Sequence, residues 1–89
     1  MKSLNGTNVL IRTQSAGVHF GQLVEKEGKE VHLKNARRLW SWSGALSLSE
    51  IASKGLDIKN SKISIPVSEI FLTEAIEIIP IDIKSNLPL

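Results

Sequence analysis

Cysteine is missing from all 89 residues. Disulfides and thiolate metal sites are therefore excluded. Tyrosine is missing too, and the aromatic complement is two tryptophans and two phenylalanines, so any stacking chemistry must use one of four side chains. No apolar run approaches the roughly 20 residues that span a bilayer as a helix. Met1 to Asn8 lacks the shape of a secretory leader, so a cytoplasmic protein with no membrane partner is expected. His19 and His32 do not fall at a helical i, i+4 spacing, and zinc would have to recruit carboxylates; no metal or cofactor is expected.

Catalytic patterns are equally scarce. There is no G-x-S-x-G elbow and no phosphate-binding glycine loop of the Walker type. A two-histidine phosphodiesterase would need two H-x-[ST] motifs, and the chain has His19-Phe20-Gly21 and His32-Leu33-Lys34. Glu74 and Glu77, three apart on a strand, point to opposite faces and make no carboxylate pair. The expectation is a binding protein, not an enzyme.

What is present is a globular composition, 42% hydrophobic and 22% charged, which argues against disorder. A chain this short makes one domain and buries roughly 60–65% of its surface, so oligomerisation is an expected route to further stability. The net charge of +2 is mild for a duplex-binding protein, but it is unevenly spread. Residues 1–45 hold seven Lys/Arg against three Glu, whereas residues 46–89 hold four Lys against six acids. The first half can attract anions.

Residues 1–7 read as a flexible N-terminus, 8–84 as a single β-rich domain and 85–89 as a C-terminal tail. Asn8 to Thr13 predicts a strand and Gln14 to Gly17 a turn. Gly17 to Glu25 and Glu30 to Trp40 alternate on either side of Glu27-Gly28, which predicts a β-hairpin. Ser47 to Lys54 predicts a short helix, with Ser47 and Glu50 as a capping box and Gly55 as a left-handed stop. Ile63, Ile65 and Val67 alternate, with Pro66 marking an edge or bulge, and the shifted parity of Ile70 and Leu72 fits a bulge. Ala75 to Ile83 carries five isoleucines on both faces of one strand, to be covered either by the core or by another subunit. The fold class is mainly β (α+β): a small bent sheet or partly open barrel of the SH3 or Sm type with one short helix.

One segment concentrates recognition chemistry. Lys34 to Gly44 holds three cations, both tryptophans, one amide and two hydroxyls. Arginine forks match phosphate oxygens, and an indole face stacks a nucleobase for roughly 1–3 kcal/mol. Lys34, Arg37 and Arg38 are the candidate phosphate ligands, and Trp40 or Trp42 the stacking surface. Asn35, Ser43, Ser15 and His19 are candidate polar contacts. With Glu27 and Gly28 as the central turn residues, Gly21 faces Lys34, His19 faces Ala36 and Gly17 faces Arg38. That would leave bare backbone on which a flat ligand could lie. A bulge would shift this register. The competing reading makes the tryptophans core anchors, the arginines one solvated and one salt-bridged side chain, and the histidines ordinary strand residues.

Four stretches carry a resemblance: Val9-Leu10-Ile11-Arg12-Thr13; Ser15-Ala16-Gly17-Val18-His19-Phe20-Gly21; Asn35-Ala36-Arg37-Arg38-Leu39-Trp40; and Leu72-Thr73-Glu74-Ala75-Ile76-Glu77-Ile78-Ile79-Pro80. From about Val9 to Pro80 the chain resembles a widespread family of small bacteriophage proteins of unknown function. Small phage proteins of this size include sponges of the anti-CBASS type, which hold cyclic dinucleotide immune signals such as cyclic GMP–AMP without cleaving them. The resemblance thus implies a homo-oligomeric sponge in the infected host cytoplasm that inhibits anti-phage defence. The site residues above come from chemistry, not from a family template. Two other functions use the same residues: a protein-interaction module that inhibits a host protein, and a single-stranded nucleic-acid binder, which the modest net charge disfavours.

Overall fold

A computed structural model describes residues 4–89. Six strands form one antiparallel sheet: β1 (Asn8–Thr13), β2 (Val18–Glu27), β3 (Glu30–Ser41), β4 (Lys62–Ile63), β5 (Val67–Leu72) and β6 (Ala75–Pro80). One short helix, α1 (Leu48–Lys54), and a 3₁₀ turn over Ile58–Asn60 lie between β3 and β4. The sheet runs β6-β1-β2-β3, and the far side of β3 is shared by β5 along its first half and β4 at its end. The two free edges, β5 and β6, are consecutive in the chain, so the sheet bends back toward itself without pairing them. Two backbone bonds draw the ends together: the Ala75 N–H donates to the Lys29 carbonyl and the Gln14 N–H to the Glu74 carbonyl, each at 3.0 Å. The expected mainly β class, bent open sheet and single helix are all present.

Alternation dictates where the core sits. On one side of the sheet Val9, Ile11, Leu23, Val31, Leu33, Ala36, Leu72 and Ala75 form a buried cluster. On the other side Leu10, Phe20 and Leu39 pack under Ile51, Ala52, Leu56 and Leu87. β1 is therefore buried on both faces, and Val9, Leu10 and Ile11 have no exposure. Seven residues are too few to hold a helix in water, so α1 depends on burying Ile51 and Ala52 and on its caps. The Ser47 hydroxyl accepts from the Glu50 N–H, while the Glu50 carboxylate accepts from the Leu46 N–H, one residue outside the usual capping box. Gly55 ends the helix at φ 95°, ψ −160°, a region open only to glycine and distinct from the expected left-handed one.

Packing reaches into both terminal stretches. Leu4 packs against the first cluster, and the Gly6 N–H donates to the Leu23 carbonyl. At the other end Leu87 is buried, and the Asn86 side chain accepts from the Leu56 N–H and donates to the Leu56 carbonyl. Residues 1–3 of the expected flexible N-terminus lie outside the described residues.

The hairpin is real, but its register differs from the expected one. The central turn residues are Gly28 and Lys29, not Glu27 and Gly28, with Glu27 facing Glu30. Gly28 has φ 58°, the positive value that the first central residue of a type II′ turn requires. Two bulges follow. One adds a residue to β2 at Val24, between the pairs Glu25–His32 and Leu23–Leu33. The other adds a residue to β3 at Asn35–Ala36, between Gln22–Lys34 and Phe20–Arg37, with Asn35 at φ 50°. His19 therefore faces Arg38 rather than Ala36, and Val18 faces Leu39. Gly21 is no ligand platform either. A Cβ there would sit 2.9 Å from the Lys34 carbonyl oxygen and 3.0 Å from the Ala36 Cα, so glycine serves the close approach of two backbones at the second bulge.

The isoleucine-rich runs also divide differently from the alternation. Ile63 ends β4, Ile65 is 80% exposed, and Val67 opens β5. β6 stops at Pro80. Ile78 packs on the barrel side and Ile79 and Ile81 on the helix side, while Ile76 and Ile83 are exposed.

Gly21→Ala is expected to cost about 1–3 kcal/mol, because the neighbours of the new methyl are backbone and cannot rotate away. Urea unfolding of the two proteins checks this.

Candidate functional site

Neighbouring residues of a strand face opposite sides, and this separates the two arginines. Arg37 projects toward the helix side with Leu39, and its Nη1 donates to the Ser64 carbonyl at 3.3 Å. Arg38 projects to the other side, where its Nε donates to His19 Nε2 at 3.2 Å. Its guanidinium carbon lies 5.9 Å from the centre of the Trp40 ring, a cation–π distance. The backbone of Arg38 is gripped by Ser64: its N–H donates to the Ser64 hydroxyl at 2.8 Å, and its carbonyl accepts from the Ser64 N–H at 2.9 Å. Arg38, Trp40 and His19 thus come together, with Ser64 as a support that sequence reasoning passed over. Nothing in the Ile63-Ser64-Ile65 pattern marks that serine, because its role depends on β4 ending beside Arg38.

The burial of these three residues is graded. His19 is 1% exposed and Trp40 66% exposed, with the exposed Arg38 between them. Cross-strand partners run Ile78, Ile11, His19, Arg38 across β6, β1, β2 and β3, so the row passes from hydrocarbon to guanidinium over four adjacent strands. His19 cannot touch a ligand as expected; it lies behind Arg38. Trp40 and Trp42, the latter 36% exposed, are not core anchors.

The remaining candidates do not join this group. Lys34 lies four residues along β3, roughly 12 Å away at the usual strand rise, and faces Glu69 of β5. Asn35 occupies the bulge. Ser43 uses its backbone on the 57–61 loop, donating to the Ser61 hydroxyl and accepting from the Asp57 N–H. Ser15 donates to Glu74 Oε1 at 3.4 Å in the β5–β6 turn.

Electrostatically, the group is unbalanced. Among the described residues no arginine or lysine lies within ion-pair distance of a carboxylate; the pair that does form is His32 Nε2 with Glu69 Oε1 at 2.9 Å. Arg38 therefore presents its two Nη groups uncompensated beside an exposed indole. Burial, and secondarily the Arg38 charge, push the His19 pKa down from 6.5 to about 4, so the ring is neutral at physiological pH.

A second feature, also missed from sequence, lies at the hairpin tip. A shallow cavity of about 180 Å³ is lined by Glu25, Glu27, Glu30, His32, Phe71 and their neighbours. His32 stacks on Phe71 with ring centroids 4.2 Å apart. The alternation of Glu25 and Glu27 hinted at an acidic rim, but the contribution of β5 depended on topology. Among the described residues no group of three or more His, Cys, Asp or Glu is placed to hold a metal ion, and no helix is long and apolar enough to cross a membrane.

Fold and site together define a small bent-sheet protein that displays Arg38 and the exposed Trp40 indole side by side on the face opposite its helix. The chain belongs to the family described as domain of unknown function DUF6948, which matches residues 6–86. No curated protein and no solved structure matches it.

The depressed His19 pKa fixes the sign of an acid effect. Between pH 6.5 and about 4 the unfolded chain binds a proton at His19 and the folded chain does not. Stability from this residue is complete above pH 6.5 and declines as pH falls toward 4, by about 3 kcal/mol in total. Urea unfolding across this range checks it, with His19→Gln expected to lack that component.

Proposed function

We propose that this protein is a non-catalytic binder of a phosphorylated base, with Arg38 taking the phosphate and Trp40 stacking on the base. The observation that carries the reading is the pairing of an unneutralised, pre-oriented guanidinium with a largely exposed indole. A guanidinium held from behind keeps its two outer nitrogens free for two phosphate oxygens, and an exposed indole offers a flat face to a base. Arg37, spent on the Ser64 carbonyl on the other face, is not part of this site. The specific ligand we propose is a cyclic dinucleotide of the cyclic GMP–AMP kind, held intact. Sequestering such a signal would let a phage-encoded protein blunt host defence in the infected cytoplasm. A small subunit encloses such a ligand poorly alone, so a homo-oligomer fits the same proposal.

A second reading, a protein-interaction module, is favoured by a separate observation. Val67 and Phe71 on β5, and Ile76 on β6, are exposed large hydrophobics along the two unpaired edges of the sheet. Open edges with apolar side chains are places where another chain can add.

Calorimetry against a panel of cyclic and linear nucleotides tests the first reading. Binding is expected to weaken at least about tenfold in Arg38→Ala and in Trp40→Ala, as loss of one charged hydrogen-bond pair or one stack implies, and to stay within about twofold in Arg37→Ala. Absence of any binding at tens of micromolar, roughly −6 kcal/mol, rejects the reading. In that case a stoichiometric host protein retained through Phe71 would favour the second.

A further inference from the structure

His19 is a buried polar side chain that no ligand can reach, and its environment is costly. The ring is 1% exposed, and its Nδ1 has no hydrogen-bond partner. Its Nε2 accepts from Arg38 Nε. A neutral imidazole carries one proton, so with Nε2 as acceptor that proton sits on Nδ1. The fold therefore encloses an N–H without an acceptor, next to Ile11 and in line with Ile78, and such a group destabilises. Leucine would fill the position without that penalty. Nor does Arg38 need the imidazole to satisfy its Nε, because its side chain is exposed and water would serve.

We infer that His19 is a positioning residue, whose Nε2 holds the Arg38 guanidinium by its inner nitrogen so that the two outer nitrogens face the Trp40 side as a fixed anion-binding fork. Three constraints then act on one side chain. Ser64 clamps its backbone, His19 holds Nε, and the guanidinium carbon stands over the Trp40 ring at 5.9 Å from its centre. An arginine carries several rotatable bonds, and ordering them in advance lowers the entropy lost when a ligand binds. The stability given up at Nδ1 goes into that order, as is common where a site breaks a packing rule.

This inference rests on the reading of Arg38 and Trp40 as a ligand site, but it can be tested without a ligand. In the full-length protein at neutral pH, nitrogen NMR of the His19 ring is expected to show Nδ1 protonated and Nε2 bare, and the Arg38 Nε–H is expected to give a resolved, slowly exchanging signal. The opposite tautomer overturns the inference whether or not any nucleotide binds. His19→Gln keeps an acceptor and should retain the Arg38 signal. His19→Leu should lose it while melting at the same temperature or a few degrees higher.

Affinity for cyclic GMP–AMP, or for inorganic phosphate, should fall at least roughly fivefold in His19→Leu and stay within about twofold in His19→Gln. Two results would show a structural role only: an unchanged Arg38 signal in His19→Leu, or equal loss of stability and binding in both variants. If wild-type protein binds neither probe while the NMR results hold, the proposed ligand fails and the positioning role stands.

Discussion

The position of Arg38 rests on two bulges that cancel. The hairpin leaves its turn with Glu27 opposite Glu30, loses a residue of register at Val24 and regains it at Asn35–Ala36. Between the bulges the strands are offset by one; beyond them the turn's own register is restored and His19 meets Arg38. Either bulge alone would place Arg37 or Leu39 against the imidazole, since a one-residue slip exchanges the two faces of a strand. Gly21 makes the second bulge possible by letting the β2 backbone approach Lys34 and Ala36. The bulge also bends β3, so that one twelve-residue strand serves β5 along its first half and β4 at its end. The open barrel and the arginine fork share this one local irregularity.

Charge and burial divide the work at that fork. His19 sits where the hydrocarbon row from Ile78 and Ile11 ends, so its ring stays neutral and accepts instead of repelling Arg38. A protonated imidazole would have no lone pair to offer at Nε2 and would place a second positive charge beside the guanidinium. Among the described residues no carboxylate stands close enough to neutralise Arg38, whereas the glutamates of the hairpin tip gather around His32 and Phe71 at the opposite end of β3. The hairpin-tip glutamates, interleaved with Lys26 and Lys29, thus lie at the end of β3 away from Arg38.

Much of the fold was legible in the sequence. Asn8–Thr13, the β2–β3 hairpin and the capped helix announce themselves through alternation, turn glycine and capping residues, all local signals. The edge strands were harder to read. Ile63, Ile65 and Val67 alternate as one strand would, and the chain does follow β3 from Leu39 past Arg38 to Ala36, but the ladder lapses over residues 64–66, where Pro66 has no N–H to donate, and the run divides into β4 and β5. The five isoleucines after Ala75 split at Pro80 between two clusters and the surface. At the site, the residue types were readable, but their grouping was not. Arg38, Trp40 and His19 converge, whereas Lys34, Asn35, Arg37, Ser43 and Ser15 do not, because faces and register are decided by bulges whose sequence signals are weak. The role of Ser64 had no local signal at all.

The Asn86 amide grips the Leu56 peptide group from both sides, at 2.9 and 2.7 Å, while Leu87 shares a cluster with Ile51 and Ala52. Helix and chain end are thereby welded into one cooperative unit lying on the face away from Arg38. Because that unit caps Leu10, Phe20 and Leu39, the strands that carry His19 and Arg38 owe part of their burial to the far end of the chain.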